Sequence, residues 1–294
     1  MGANFAVGLT KLFGFVITGS GAMLAEFMHS LADTGNQGLL LFGARQAKRK
    51  PSPGHPFGSG REEYFWAFVV GLVLFGVGGV VSIVEGVQKL LGGEHELSDP
   101  SIALVLLVVA AVIEGISLRT GLRVARQALG PEVPMFAGLR RSRDPDVTIV
   151  VYEDTGALIG LALAFVGISV SAITGNALYD ALATVAIGLL LCIIAIVLVV
   201  EMHGLLIGRP ASRLDRASLE GAIMSVDGVD GIADLRTEHL GPDDLLVCAV
   251  VMLSDATDLD RVVEIVQEVA ARLQASVESN VMSYVEPATV TTGV

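Results

Sequence analysis

Charge is scarce in this chain. Only 17% of its 294 residues are Asp, Glu, Lys or Arg, too few to coat a water-soluble globule of that size. Cysteine is scarcer still: Cys192 and Cys248 make neither a disulfide framework nor a metal pair. No His-Glu-x-x-His string occurs and no turn presents a Ser or Cys nucleophile, which leaves intramembrane proteolysis without its machinery. Aromatics are nowhere interleaved with Lys and Arg, so no nucleic-acid platform is expected. Met1 leads straight into an apolar segment without a basic n-region or small-residue cleavage site, so no removable signal peptide is expected either.

What the chain has in excess is apolar. It is 52% hydrophobic, with a mean hydropathy of +0.67. Tyr64 to Val84 and Ala181 to Val200 are uncharged throughout, each reaching the roughly 20 residues a membrane-crossing helix needs. Six spans are predicted, over 5–22, 24–46, 64–90, 101–128, 146–172 and 177–206. Gly19, Ser20 and Gly21 suit a tight connection between the first two. Polar residues interrupt the second, fourth and fifth spans, so hydropathy alone should score those poorly. Arg45, Lys48, Arg49, Lys50 and Arg61 cluster between spans two and three. Arg119, Arg123, Arg126, Arg140, Arg141 and Arg143 cluster around the connection from four to five, while Glu94, Glu96 and Asp99 mark an opposite loop. The positive-inside rule then puts the basic loops and both termini on the cytoplasmic side of a cell membrane, with lipid headgroups as neighbours.

Ionisable groups inside the apolar segments are the informative residues. Glu26, His29, Asp33 and Asn36 recur at helical spacing and share an arc of roughly 80°. Such groups cost several kcal/mol each in lipid, unless they face a bundle interior or a watery cavity. His29 and Asp33 are one turn apart, so one divalent ion can touch both; imidazole nitrogen with carboxylate oxygen suits Zn²⁺ and also Mn²⁺, Fe²⁺ or Co²⁺. Asn36 and Glu26 are further donors. In the fifth span Glu153 and Asp154 are adjacent and point about 100° apart. A stripe of Gly156, Ala157, Gly160, Ala164 and Gly167 centres on the direction of Glu153 and favours it as the inward group. Lys11, Glu85 and Glu114 are read as structural.

Several of these segments together resemble the cation diffusion facilitator family: GSGAMLAEFMHSLADTGNQ, HPFGSGREEYFWA, the stretch from Asp154 to Gly160, YDALATVAIGLLL and DLRTEHLGPDDLLV. Within it, the AE-x-x-HS-x-AD-x-x-NQ pattern and the Glu-Asp pair are similar to the subgroup containing animal zinc transporter nine. The resemblance implies a six-span homodimeric transporter that moves divalent metal, zinc first among them, out of the cytoplasm in exchange for protons. No enzyme activity or permanent cofactor is expected; the ion is cargo. Carried over by position, His29, Asp33 and Asp154 match the family's central site, and Asn36 and Glu153 match the subgroup. Favouring Asp154, the resemblance disagrees with the small-residue stripe, and both carboxylates stay in the set. Many zinc members repeat His-x-x-x-Asp in span five, where this chain has Val150, which leaves room for metals that prefer oxygen. A second site beside the HPFG segment would use two histidines; His55 is present but Ser59 stands at the other position, so that site is expected to be absent or weak. The alternatives are an exporter of Mn²⁺, Fe²⁺ or Co²⁺ and a membrane-anchored metal sensor without transport.

After about Pro210 acidic residues become frequent and long apolar runs stop, placing a domain boundary between 1–209 and 210–294. Alternation predicts helix, strand, strand, helix and strand over 212–226, 232–240, 245–253, 258–277 and 280–286. This is a cytoplasmic α/β unit of ferredoxin-like type, as the family's tail is, with dimerisation as its implied role. His239, Asp243 and Asp244 are its candidate ligands, and Cys248 is expected in its core.

Overall fold

The computed structural model describes residues 2–92, 100–129, 135–139, 145–254 and 258–289. Glu94, Glu96, Asp99, Arg140, Arg141 and Arg143 lie outside them. The chain divides into two compact units, one of Met1–Ala44 with Phe65–His203, the other of Arg45–Tyr64 with Gly204–Val294.

The first unit is helical. Its elements are α1 (Gly2–Thr18), α2 (Gly21–Ala47), α3 (Arg61–Val73), α4 (Val81–Gly92), α5 (Pro100–Leu129), a short α6 (Met135–Leu139), α7 (Pro145–Thr174) and α8 (Leu178–Ile207). Four helices among the described residues are long and apolar enough to cross a membrane: Arg61–Gly92, Pro100–Gln127, Val147–Thr174 and Leu178–Ile207. The fourth and fifth expected spans therefore pass on hydropathy after all, because each keeps a long apolar stretch in which few residues are charged. α1 contributes only the shorter apolar stretch Val7–Thr18, and α2 is diluted by its polar row. The segment Arg61–Gly92 is continuous but not uniform: Leu74–Val80 is π-helical and joins α3 to α4. Three glycines fall within those seven residues, and an extra residue per turn of this kind locally re-aims the helix faces.

Two close approaches fix the helices. Asp180, in the first turn of α8, accepts hydrogen bonds from Ser20 Oγ at 2.5 Å and the Gly21 amide at 2.8 Å. A carboxylate from another helix thus satisfies the free amides at the start of α2, where the helix dipole favours negative charge. Lys89 Nζ donates to the Gly19 carbonyl at 2.6 Å, capping the end of α1; Gly19 itself turns the chain at φ +67°, as a helix-ending glycine does. Further along, α4 meets α8 through glycines. A methyl group added at Gly188 would lie 2.8 Å from the Ile83 nitrogen and 2.9 Å from the Gly79 oxygen, so the backbones touch where side chains are missing.

The second unit is an αββαβ layer structure: α9 (Arg213–Met224), β1 (Val229–His239), β2 (Asp244–Leu253), α10 (Leu259–Ser276) and β3 (Asn280–Thr289). The sheet order is β1-β2-β3, with β1 antiparallel and β3 parallel to the central β2. Period-two alternation sets the core: Leu245, Val247, Ala249, Val251 and Leu253 turn inward from β2 against Leu219 and Ile223 of α9 and Ile265, Val269 and Leu273 of α10. Cys248 falls out of phase with that row and is only half-buried, so its expected place in the core is corrected by one residue of register. Ser212 and Asp258 cap α9 and α10 through the amides of Asp215 and Arg261. Arg45–Tyr64 groups with this unit: Arg61 pairs with Glu238, Phe57 meets Tyr284 edge-on at 6.5 Å, and Gly60 lies against the backbone of Leu240 and Gly241.

Candidate metal site

α2 carries its polar row as a face turned wholly inward. Glu26, His29, Asp33 and Asn36 are all buried, as are Glu153 and Asp154 on α7. His29 Nδ1 and Asp33 Oδ1 stand 3.5 Å apart, one helical turn from each other. Asn36 Nδ2 reaches across to α7 and donates to Glu153 Oε1 at 2.6 Å. Asp154 points to the other flank of α7, where Ser117 of α5 donates its hydroxyl to Asp154 Oδ2 at 2.8 Å. The two acidic neighbours thus diverge as their helical spacing requires, one toward α2 and the other toward α5.

Among the buried α2 side-chain atoms that make no hydrogen bond are both ring nitrogens of His29, Asp33 Oδ1 and Asn36 Oδ1. A buried polar atom left in that condition costs about 1–3 kcal/mol, so a row of them is a standing demand for a ligand. One imidazole and two oxygens form a donor set that fits a first-row divalent ion. The set is not closed in this conformation, for among the described residues no three His, Cys, Asp or Glu side chains converge on one ion-sized point. The structure brings His29 to Asp33 and Asn36 to Glu153, and gives Asp154 a separate partner.

The outlying candidates go elsewhere. Glu26 faces Lys11 of α1, whose ammonium lies 3.0 Å from Glu26 Oε2. His55 is exposed in the C-terminal unit, in a turn closed by paired backbone hydrogen bonds with Ser52. His239 is buried at the end of β1, its amide donating to the Arg209 carbonyl at 2.9 Å. Asp243 and Asp244 instead meet Asn280, through a backbone carbonyl at 2.7 Å and a side chain at 3.2 Å. Ser117 and Asp180 were not among the sequence-derived candidates. Asp180 carried a usable signal, an isolated carboxylate opening an apolar span; a lone serine such as Ser117 carries none.

A family model, the cation efflux transmembrane domain, matches residues 1–207, a stretch that takes in the whole helical unit. The chain belongs to the cation efflux family. Relatives in that family include the mitochondrial proton-coupled zinc antiporter SLC30A9 of Xenopus laevis, 32% identical over 82% of this chain and 42% of the relative. Metal tolerance protein C4 of Arabidopsis thaliana is 30% identical over 81% of the chain and 52% of the relative. The cation-efflux pump FieF of Shigella flexneri is 25% identical over 80% and 72%. This cation efflux chain spans about half the length of the first two relatives.

Proposed function

We propose that this chain exports a divalent first-row metal ion, zinc first, across a membrane in exchange for protons. Six helical passes would carry it: α1, α2, the continuous α3–α4, α5, α7 and α8. The basic segments at Arg45–Arg61 and Arg119–Arg126, together with both termini, belong on the cytoplasmic side by the positive-inside rule. The three-stranded C-terminal unit is a ferredoxin-like module without a leading strand, and its role is to hold two copies of the chain together. The relatives named as zinc antiporters support the cargo and the counter-ion.

One observation carries the reading: buried side-chain atoms of His29, Asp33 and Asn36 on α2 that make no hydrogen bond. His29, Asp33 and Asn36 are the fixed half of the site. Glu153 and Asp154 are its mobile half, held by neutral Asn36 and Ser117 donors that a cation displaces at little cost. Closing the site requires α7 to bring a carboxylate onto the α2 pair, and opening it on the far side requires the reverse. Protons drive the release. Imidazole and carboxylate bind metal only when deprotonated, so each proton that reaches them weakens the hold on the ion, and histidine is the side chain whose charge changes nearest neutral pH. The ligand set has more oxygen than nitrogen, so Mn²⁺, Fe²⁺ and Co²⁺ are the competing cargoes.

Zinc binding by the purified chain tests the site. Wild type binds zinc, and His29→Ala and Asp33→Ala lose it while keeping their helical content and elution volume. Undiminished binding in either folded variant rules the site out.

A further inference from the structure

Next to the α2 pair lies a second group of buried charges for which metal transport gives no account. Lys11 Nζ sits 2.8 Å from Ser30 Oγ, 3.0 Å from Glu26 Oε2 and 3.8 Å from Glu114 Oε1. The lysine, both carboxylates and the serine are all buried, Glu26 with no exposed surface at all. Three helices, α1, α2 and α5, contribute one or more groups each. On the fourth side α7 makes room, since a methyl at Gly160 would collide with Glu26 Oε1. That same Glu26 oxygen has no hydrogen-bond partner.

We infer that this is a cation site occupied by the protein's own ammonium, and that Lys11 excludes hard divalent ions from the pocket beside the cargo. Two carboxylates, one of them with an unpartnered oxygen, and a hydroxyl are an all-oxygen cage of the kind Mg²⁺ and Mn²⁺ prefer. With Lys11 absent the cage carries the charge that one divalent ion neutralises. With Lys11 seated it is filled by a group that is tethered and cannot be transported. The seat also withdraws Glu26 from the cargo set, although Glu26 shares a helix face with His29. An ion lodged here would repel a second ion held by His29 and Asp33 only one turn away. Lys11 is therefore a specificity-determining residue; that role rests on the cargo reading, whereas the filling of the cage by Lys11 does not.

Counting bound Mn²⁺ by equilibrium dialysis and metal analysis on the purified full chain tests it. Lys11→Met gains one Mn²⁺ per chain over wild type; Lys11→Arg, which keeps the cation, gains none, and Lys11→Met with Glu26→Gln loses the gain. A folded Lys11→Met variant with the wild-type count overturns the inference, as does a gain that survives Glu26→Gln combined with Glu114→Gln. Lys11→Gln, which keeps a polar contact to Ser30, serves the same count if the methionine variant fails to fold. Glu26→Gln alone gives a reading that needs no change at Lys11. Zinc binding persists in it, and a loss of more than tenfold in zinc affinity would make Glu26 a cargo ligand and overturn the assignment. Zinc lost in His29→Ala is read separately, so failure of the cargo site and failure of this one are distinguishable.

Discussion

At the scale of single residues, the question left open by the sequence is which α7 carboxylate would grip the proposed ion. Ser117 offers a way to ask it without touching either acid. Outer-shell hydrogen bonds to a metal ligand are typically worth 10- to 100-fold in affinity, so Ser117→Ala weakens zinc binding by about that factor if Asp154 is a ligand. Calorimetric titration measures the change, and an unaltered affinity in Ser117→Ala with a large loss in Glu153→Gln assigns the role to Glu153 instead. The α2 row was legible because helical periodicity makes His29, Asp33 and Asn36 a face, and because lipid penalises a charge with no purpose. Divergence of Glu153 and Asp154 was legible too. Their partners were not: Asn36 and Ser117 find them across helix interfaces, and no spacing within one helix reports what a neighbouring helix presents. The same blindness hid the clasp around Lys11, since an isolated lysine reads alike whether it snorkels or pairs.

Elements were easier to read than contacts. The five segments expected in the tail all formed with ends shifted by three residues or fewer, because alternating strands and an amphipathic α10 announce themselves by period. Burial of Leu273 beneath the sheet is complete, and Leu273→Ala costs about 2–5 kcal/mol as a large-to-small change in a packed core; hydrogen exchange localised to α10 and β2 checks it. Nothing in the sequence separated the π-helical stretch from the α-helix on either side, since both share the same apolar composition. Its glycines hinted only at close packing. That packing has a consequence at Gly188, where an added methyl meets backbone on α4. Overpacked sites lose about 1–3 kcal/mol, so Gly188→Ala lowers the melting temperature of the purified chain, measured by tryptophan fluorescence. Gly76→Ala, which meets nothing nearby, leaves it close to wild type.

For the whole molecule, composition was enough to establish a helical membrane protein with an acidic α/β appendage, and ordered motifs were enough to establish the family. Grouping Arg45–Tyr64 with the C-terminal unit was beyond composition, because its basic residues look like a loop that merely follows a span; the link runs through Arg61, Phe57 and Gly60 to residues roughly 180 to 230 positions away. The proposed transport belongs to this scale, and the proposal rests on buried α2 side-chain atoms that make no hydrogen bond in the helical unit. Zinc flux into sealed proteoliposomes, followed with an internal dye while a pH gradient is imposed, tests that claim most directly. Zinc uptake is expected to rise when the vesicle interior is more acidic, to reverse with the gradient, and to disappear in Asp33→Ala reconstituted at the same density. Uptake that ignores the pH gradient, or that continues in Asp33→Ala at the wild-type rate, would contradict it.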